Sequence, residues 1–243
     1  VGAEAAGIFV LLIGDLGSHH TALSADIFRG FAISDAVAPF VVINDQDARP
    51  ARSFTLIHEL AHIWLGETGV SGLPSPTVPE SKHQRIERFC NDVAGLFLLP
   101  NRLLGQKPDD VNWERTAEIE TWISATADKW LVSEPMVAYR LNRLNWITPR
   151  VYSELVKTYA ARWKAFRQKQ RVMAREAEGG PSYYTVRQYK LGSALVHLVQ
   201  RTVREQLLTH TKAAKVLGIK PTSVEPLLRA FEGATATRTE SRR

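Results

Sequence analysis

Residues 53–66 read SFTLIHELAHIWLG, and no other stretch restricts the fold as strongly. His58 and His62 stand four apart, Glu59 follows the first, and Leu56, Ile57, Leu60, Ala61, Ile63, Trp64 and Leu65 surround them. Two imidazoles and a carboxylate in so apolar a segment need partners, because burying polar groups alone is unfavourable. On a helix, residues four apart share a face one turn up. Both imidazoles can then aim a nitrogen at one ion, and zinc accepts such nitrogens at about 2.0–2.1 Å. Glu59 projects from the neighbouring face, where it can act as general base without being a ligand. A solvated helix carrying two surface histidines is the plainer alternative, and the apolar flanks weigh against it.

A catalytic ion needs a third protein ligand and an open position. Downstream candidates are Glu67, Glu80, His83, Glu87 and Asp92. Glu67 follows the same helix too closely to turn back. Glu87 fits better, because Asn91 and Ala94 share its face and Ala61, Ala94 and Gly95 would let two helices cross closely. His83 is the runner-up on spacing. The bland alternative for Glu87 is a solvated acid favoured by the dipole of the first helical turn.

Around this segment the chain divides by pattern. Residues 7–13 and 39–44 are short apolar runs that suit buried strands, and FRGFAISD supplies a third. Helix follows over 51–65, with Pro50 at its start. SGLPSPTVP is a loop, and 81–99 is a helix with Ile86, Phe89, Cys90, Val93, Ala94 and Phe97 at helical spacing. Residues 113–144 carry two helical patterns around LVSEP, with Ala127, Val132, Val137 and Leu141 placed as in a helix-turn-helix. A second such pair runs over 207–231, using Ala213, Ala214, Gly218, Val224 and Leu228. Between them lie a long basic helix over 151–178 and EGGPSYYTV, a turn leading into a short polar-aromatic strand or loop. The expected organisation is α+β and mostly α, divided as 1–105, 106–150 and 151–243.

Charge and cysteine content bound the setting. Net charge is +6, and residues 162–175 hold Arg162, Lys164, Arg167, Lys169, Arg171 and Arg175 with no acid. Such a run is a solvated helix face or a DNA-phosphate contact. Cys90 is the single cysteine, so no internal disulfide is available. The apolar run 7–14 is too short to span a bilayer and lacks the basic flank of a signal peptide. The expected location is the cytoplasm, without membrane attachment. A chain that opens at Val1 on an apolar segment is expected to have lost an upstream portion.

Four stretches together, RGFAISDAVAPFVVIND, ARSFTLIHELAHIWLG, IERFCNDVAGLFLLP and LVSEPMVAYRLNRL, resemble the ImmA/IrrE family of metallo-endopeptidases. The resemblance covers about residues 1–150. It implies a zincin-like small sheet with the HExxH helix, followed by a helix-turn-helix-like helical domain. It places the family's zinc ligands on His58, His62 and Glu87 and its catalytic glutamate on Glu59. Cys90, Asn91, Ala94 and Pro100 match the remainder of the third stretch. Two departures stand out: Gly66 where many relatives carry another histidine, and Phe89 and Leu96 where acids are common.

The resemblance also implies a substrate: a partner helix-turn-helix repressor whose cleavage switches on mobile-element or stress genes. Relatives often carry an N-terminal DNA-binding domain as well. His83, Tyr139 and Arg140 are the polar residues considered for stabilising the oxyanion. Zinc is the expected ion, and the donor set also admits manganese. The rival from another class is a regulator that binds DNA through its helix-turn-helix segments or the 162–175 run and keeps a structural or inactive metal site. Closed structural zinc sites favour four ligands and cysteine, which this chain does not supply.

Overall fold

The computed structural model describes residues 2–15, 21, 23–25, 27–71, 74, 81–176 and 182–240, with backbone alone at 70–71, 171, 174–176 and 233–240. Glu80, most of the loop expected over 71–79, and residues 177–181, where the expected basic helix gives way to the expected turn, lie outside the described residues.

A short helix α1 (Gly2–Ala5) precedes strand β1 (Phe9–Leu12), followed by β2 (Gly30–Ile33) and β3 (Phe40–Ile43). The expected strands are present but shorter. A fourth, β4 (Gly69–Ser71), was not expected; it ends on Ser71, the first residue of the expected loop. The sheet order is β1-β3-β2-β4, with β1 parallel to β3 and the other pairs antiparallel. Phe9 and Phe40 are paired in register, and their rings stack with centroids 4.8 Å apart. Between β2 and β3 the Asp35 carboxylate accepts from the Val37 and Ala38 N–H groups at 2.9 and 2.8 Å, which fixes the turn.

Helix α2 (Arg49–Trp64) packs on this sheet. Ala32, Val41 and Ile43 are buried on the face that Gly30 turns to α2, and a fully buried valine or isoleucine contributes about 1.5–3 kcal/mol. Pro50 occupies the first turn, as its sequence position suggests. Gly30 allows the close approach. A Cβ there would lie 2.5 Å from Thr55 Cγ2 and 2.9 Å from the Val42 carbonyl oxygen. Gly66 follows the helix at φ +70°, a conformation that favours glycine, and so stands where the chain leaves α2.

Helix α3 (Lys82–Leu98) starts from a capping box: Gln84 N–H donates to Ser81 Oγ at 3.1 Å, and Ser81 N–H to Gln84 Oε1 at 3.0 Å. After it come α4 (Asn101–Leu104), α5 (Thr116–Trp130), α6 (Glu134–Arg143) and α7 (Pro149–Glu176). One hydrophobic core joins them, from Leu99 and Leu104 through Ile119, Ile123, Val137 and Leu141 to Leu155 and Tyr159. The α5–α6 pair has the expected packing, with Ala127, Val132, Val137 and Leu141 all buried. It differs from a groove-entering pair in one respect. Met136 through Leu141 are buried in succession, so α6 is enclosed on every side and cannot enter a DNA groove.

Helices α8 (Tyr183–Leu191), α9 (Ser193–Arg204), α10 (His210–Leu217) and α11 (Val224–Glu240) share a second core. The YYTV stretch expected as strand or loop is the first turn of α8. Ser182 Oγ caps it by accepting from Thr185 N–H at 3.2 Å, and Tyr184 packs into the core. Phe9 and Leu11 of β1 pack on this core, and Glu4 caps α9 through Ala194 N–H and Ser193 Oγ. The outcome is an α+β protein, mostly α, in which no helix among the described residues is long and apolar enough to cross a membrane.

Candidate metal centre

Helix α2 carries His58, Glu59 and His62 on its inner side, where each is at most 2% exposed. Two glycines bring the sheet against them. A Cβ on Gly30 would lie 3.0 Å from Glu59 Oε1, and one on Gly69 of β4 would lie 3.3 Å from the His62 ring. Helix α3 crosses α2 and delivers Glu87, whose side chain is 21% exposed.

His58 Nε2 and His62 Nε2 are 3.1 Å apart. Glu87 Oε2 lies 3.5 Å from the first, and Oε1 lies 3.1 Å from the second. Ligands about 2.0–2.1 Å from a tetrahedral ion stand roughly 3.3 Å from each other, so these three donors have the spacing of a shared cation. Glu87 Oε1 is buried and, despite its distance from His62, not aligned for a hydrogen bond. His58 Nδ1 is also buried without a partner. The three donor atoms lie within 4.8 Å of one another, close enough to share one ion. The residues present therefore fit a divalent ion.

Burial opposes charge on Glu87, yet the imidazoles of His58 and His62 outweigh it and hold the carboxyl down to about 2. Burial likewise opposes protonation of His62, but Cys90 and Glu87 push it up to about 10. Without metal, the centre thus keeps an anionic carboxylate beside a protonated imidazole, and a divalent ion must displace that proton.

The other candidates go elsewhere. Glu67 pairs with Lys82 at 3.3 Å on the surface, and His83 is exposed at the start of α3. Asp92 faces α6. It accepts from Tyr139 OH at 2.8 Å and from Arg143 Nε and Nη2 at 2.7 and 2.9 Å. Arg140 donates to the Leu99 carbonyl at 3.2 Å and to Asn101 Oδ1, with its stem across Gly95. Tyr139 and Arg140 therefore join α6 to α3 and do not reach the ion site. Gly95 serves that crossing rather than the α2–α3 one. Sequence reasoning missed this clamp, although Tyr139, Arg140 and Arg143 lie on one apolar helix and invite a search for an acid. Among the described residues, His58, His62 and Glu87 form the metal-capable group of three.

A family model described as IrrE N-terminal-like domain (Peptidase_M78) matches residues 3–142, more than half of the chain. This chain belongs to that family. No curated protein and no solved structure shows a significant match to it. Membership supports a metal-dependent peptidase role for the chain. The matched span starts in α1 and stops within α6, so it takes in the sheet, α2, α3 and the clamp residues Asp92, Tyr139 and Arg140, and ends one residue before Arg143.

Proposed function

We propose that this protein is a zinc-dependent endopeptidase, with His58, His62 and Glu87 as metal ligands and Glu59 as catalytic base. Manganese is the other ion the donor set accepts. The observation that carries the reading is the cation-sized spacing of three donors from two crossing helices, next to a fully buried glutamate. A divalent ion held there would polarise the scissile carbonyl and acidify the attacking water. Two neutral imidazoles and one carboxylate cancel one of its two charges and leave the other to act. Glu59 takes the proton from the water as its oxygen attacks the carbonyl carbon. It then passes that proton to the amine nitrogen as the C–N bond breaks. Enclosure of Glu59 by β2 limits competition from bulk water for the proton.

The substrate in this reading is a partner helix-turn-helix repressor, cleaved in the cytoplasm to release mobile-element or stress genes. Its support is the family resemblance of the four stretches quoted above. DNA remains a second partner through α7, because none of the described side chains between Ala160 and the end of that helix is buried and Lys164 and Lys169 lie there. The direct test combines elemental analysis of the purified chain with incubation against the repressor encoded beside it. One zinc per chain and a single cut, lost on chelation, are expected. An intact repressor beside a zinc-replete chain would overturn the substrate, and cleavage at the parent rate by Glu59→Gln would overturn the base.

A further inference from the structure

Residues 182–243 hold eleven Lys or Arg against four Glu, whereas residues 1–181 hold twenty against twenty-one acids. The positive charge of the chain therefore resides in its C-terminal unit, even though the basic run of α7 lies outside it. An excess of this kind on one helical unit is the electrostatic footprint of a polyanionic partner.

Within that unit, α10 and α11 are joined by a short turn. Thr209 Oγ1 caps α10 by accepting from Lys212 N–H at 3.3 Å. Gly218 ends the helix at φ +59°, a left-handed conformation that favours glycine. A single 3₁₀ turn, Pro221–Ser223, leads directly into α11. Ala213, Ala214 and Leu217 of the first helix and Val224, Leu227 and Leu228 of the second are buried in the shared core. Lys220 and Thr222 of the turn and Glu225, Pro226 and Arg229 of α11 are exposed. His210 Nε2, at the start of α10, lies 3.8 Å from Glu225 Oε2, so the start of α10 and the first turn of α11 share one side. Glu225 is an acid on that side, and Arg229 Nε meets it at 3.1 Å.

The α5–α6 pair has the same order of elements but encloses its second helix. Over residues 224–232, α11 is buried on one side and exposed on the other. Groove entry requires that second arrangement, in which one helix crosses the backbone and the next presents side chains to base edges. Lys220 and Arg229 supply cations for phosphate or guanine, and Thr222 and Glu225 supply groups able to meet base edges. We propose that this protein binds double-stranded DNA through α10 and α11, with the exposed side of α11 in the major groove. Lysines of α7 add phosphate contacts without reading sequence. The inference goes beyond the peptidase reading and stands without it.

The test uses the full chain, a fluorescent pool of randomised duplexes and a salt series from ~50 to ~200 mM. A dissociation constant of about 10⁻⁶ M or tighter at low salt, weakening steeply as salt rises, is expected. Repeated selection from the pool should enrich a common sequence, because base edges are read. Lys220→Gln with Arg229→Gln should weaken binding to the selected duplex at least about tenfold, at unchanged circular dichroism and zinc content. Thr222→Glu keeps both cations and suits the start of a helix, yet sets a carboxylate against the phosphates, and should weaken binding as much. Lys164→Ala with Lys169→Ala should cost less than either. No binding by the parent, no sequence enriched, or binding undiminished in both α11 variants would overturn the inference. So would a larger loss in the α7 variant. If the α11 variants bind DNA as the parent does but no longer cleave the repressor, the surface is a protein contact and the inference likewise fails.

Discussion

Glu87 and Asp92 both lie on α3, and each meets polar side chains from a neighbouring helix. Asp92 meets Arg143 and Tyr139 of α6, so its charge is answered by a guanidinium in a two-point contact. Glu87 meets two imidazoles, which as neutral ligands bring no charge of their own. The first cluster is complete within the polypeptide and holds α3 in place. The second is the one that a cation could complete. The geometry separates them: Asp92 is met by aligned donors, whereas the three donor atoms around Glu87 stand at the spacing of a shared cation.

The largest effect expected is at the metal cluster. Glu59→Gln should lower peptide hydrolysis by about 10²–10⁴-fold while zinc content stays at the parent level. His62→Ala or Glu87→Ala should lose both zinc and hydrolysis with the helical spectrum kept. Zinc retained in Glu87→Ala would erase the contrast between the clusters.

At Asp92 the expected loss is of stability alone. Asp92→Ala leaves Arg143 and the Tyr139 hydroxyl without their acceptor, and both groups of the ion pair are partly exposed. A destabilisation of about 1–3 kcal/mol follows, read by urea unfolding, with zinc stoichiometry unchanged. Gly30→Ala should cost a comparable ~1–3 kcal/mol, because Thr55 and the β3 backbone must give way.

The pH response separates the clusters further. In the metal-free chain, the raised pKa of His62 adds stability that is full below its ordinary 6.5 and lost as pH rises through about 10. The lowered pKa of Glu87 adds stability that is full above its ordinary 4.5 and lost as pH falls through about 2. The metal-free melting temperature should therefore lose support on either side of the 4.5–6.5 window, and Glu87→Ala should flatten that dependence. Zinc competes with the His62 proton, so zinc affinity should rise with pH across the neutral range. The smallest effect is at the exposed half of α7. Lys164→Ala with Lys169→Ala should shift stability by no more than about 0.5 kcal/mol and leave zinc and hydrolysis intact.

Much of this centre was readable in one dimension because it is local. The His58–His62 spacing places both imidazoles on one helical face, and apolar flanks imply burial. Glu87 was accessible through the small residues around it and the family resemblance. What escaped was non-local. Asp92 entered as a possible ligand, and nothing in its neighbourhood shows that Arg143 and Tyr139 will reach it from α6. Strand β4 escaped because its residues, Gly-Val-Ser, lack a pattern, and pairing with β2 defines it. Helix α8 was misjudged because β-branched and aromatic residues suit strands locally, while the Ser182 cap and burial of Tyr184 favour a helix.

The sequence by itself determined a helix that carries His58, Glu59 and His62 close together, because helical periodicity relates residues four apart without help from the rest of the chain. Only the tertiary structure decided which downstream acid faces them, and that α6 is enclosed and grips α3. Those relations depend on how separate segments cross, and a crossing is fixed by packing among side chains far apart in the chain.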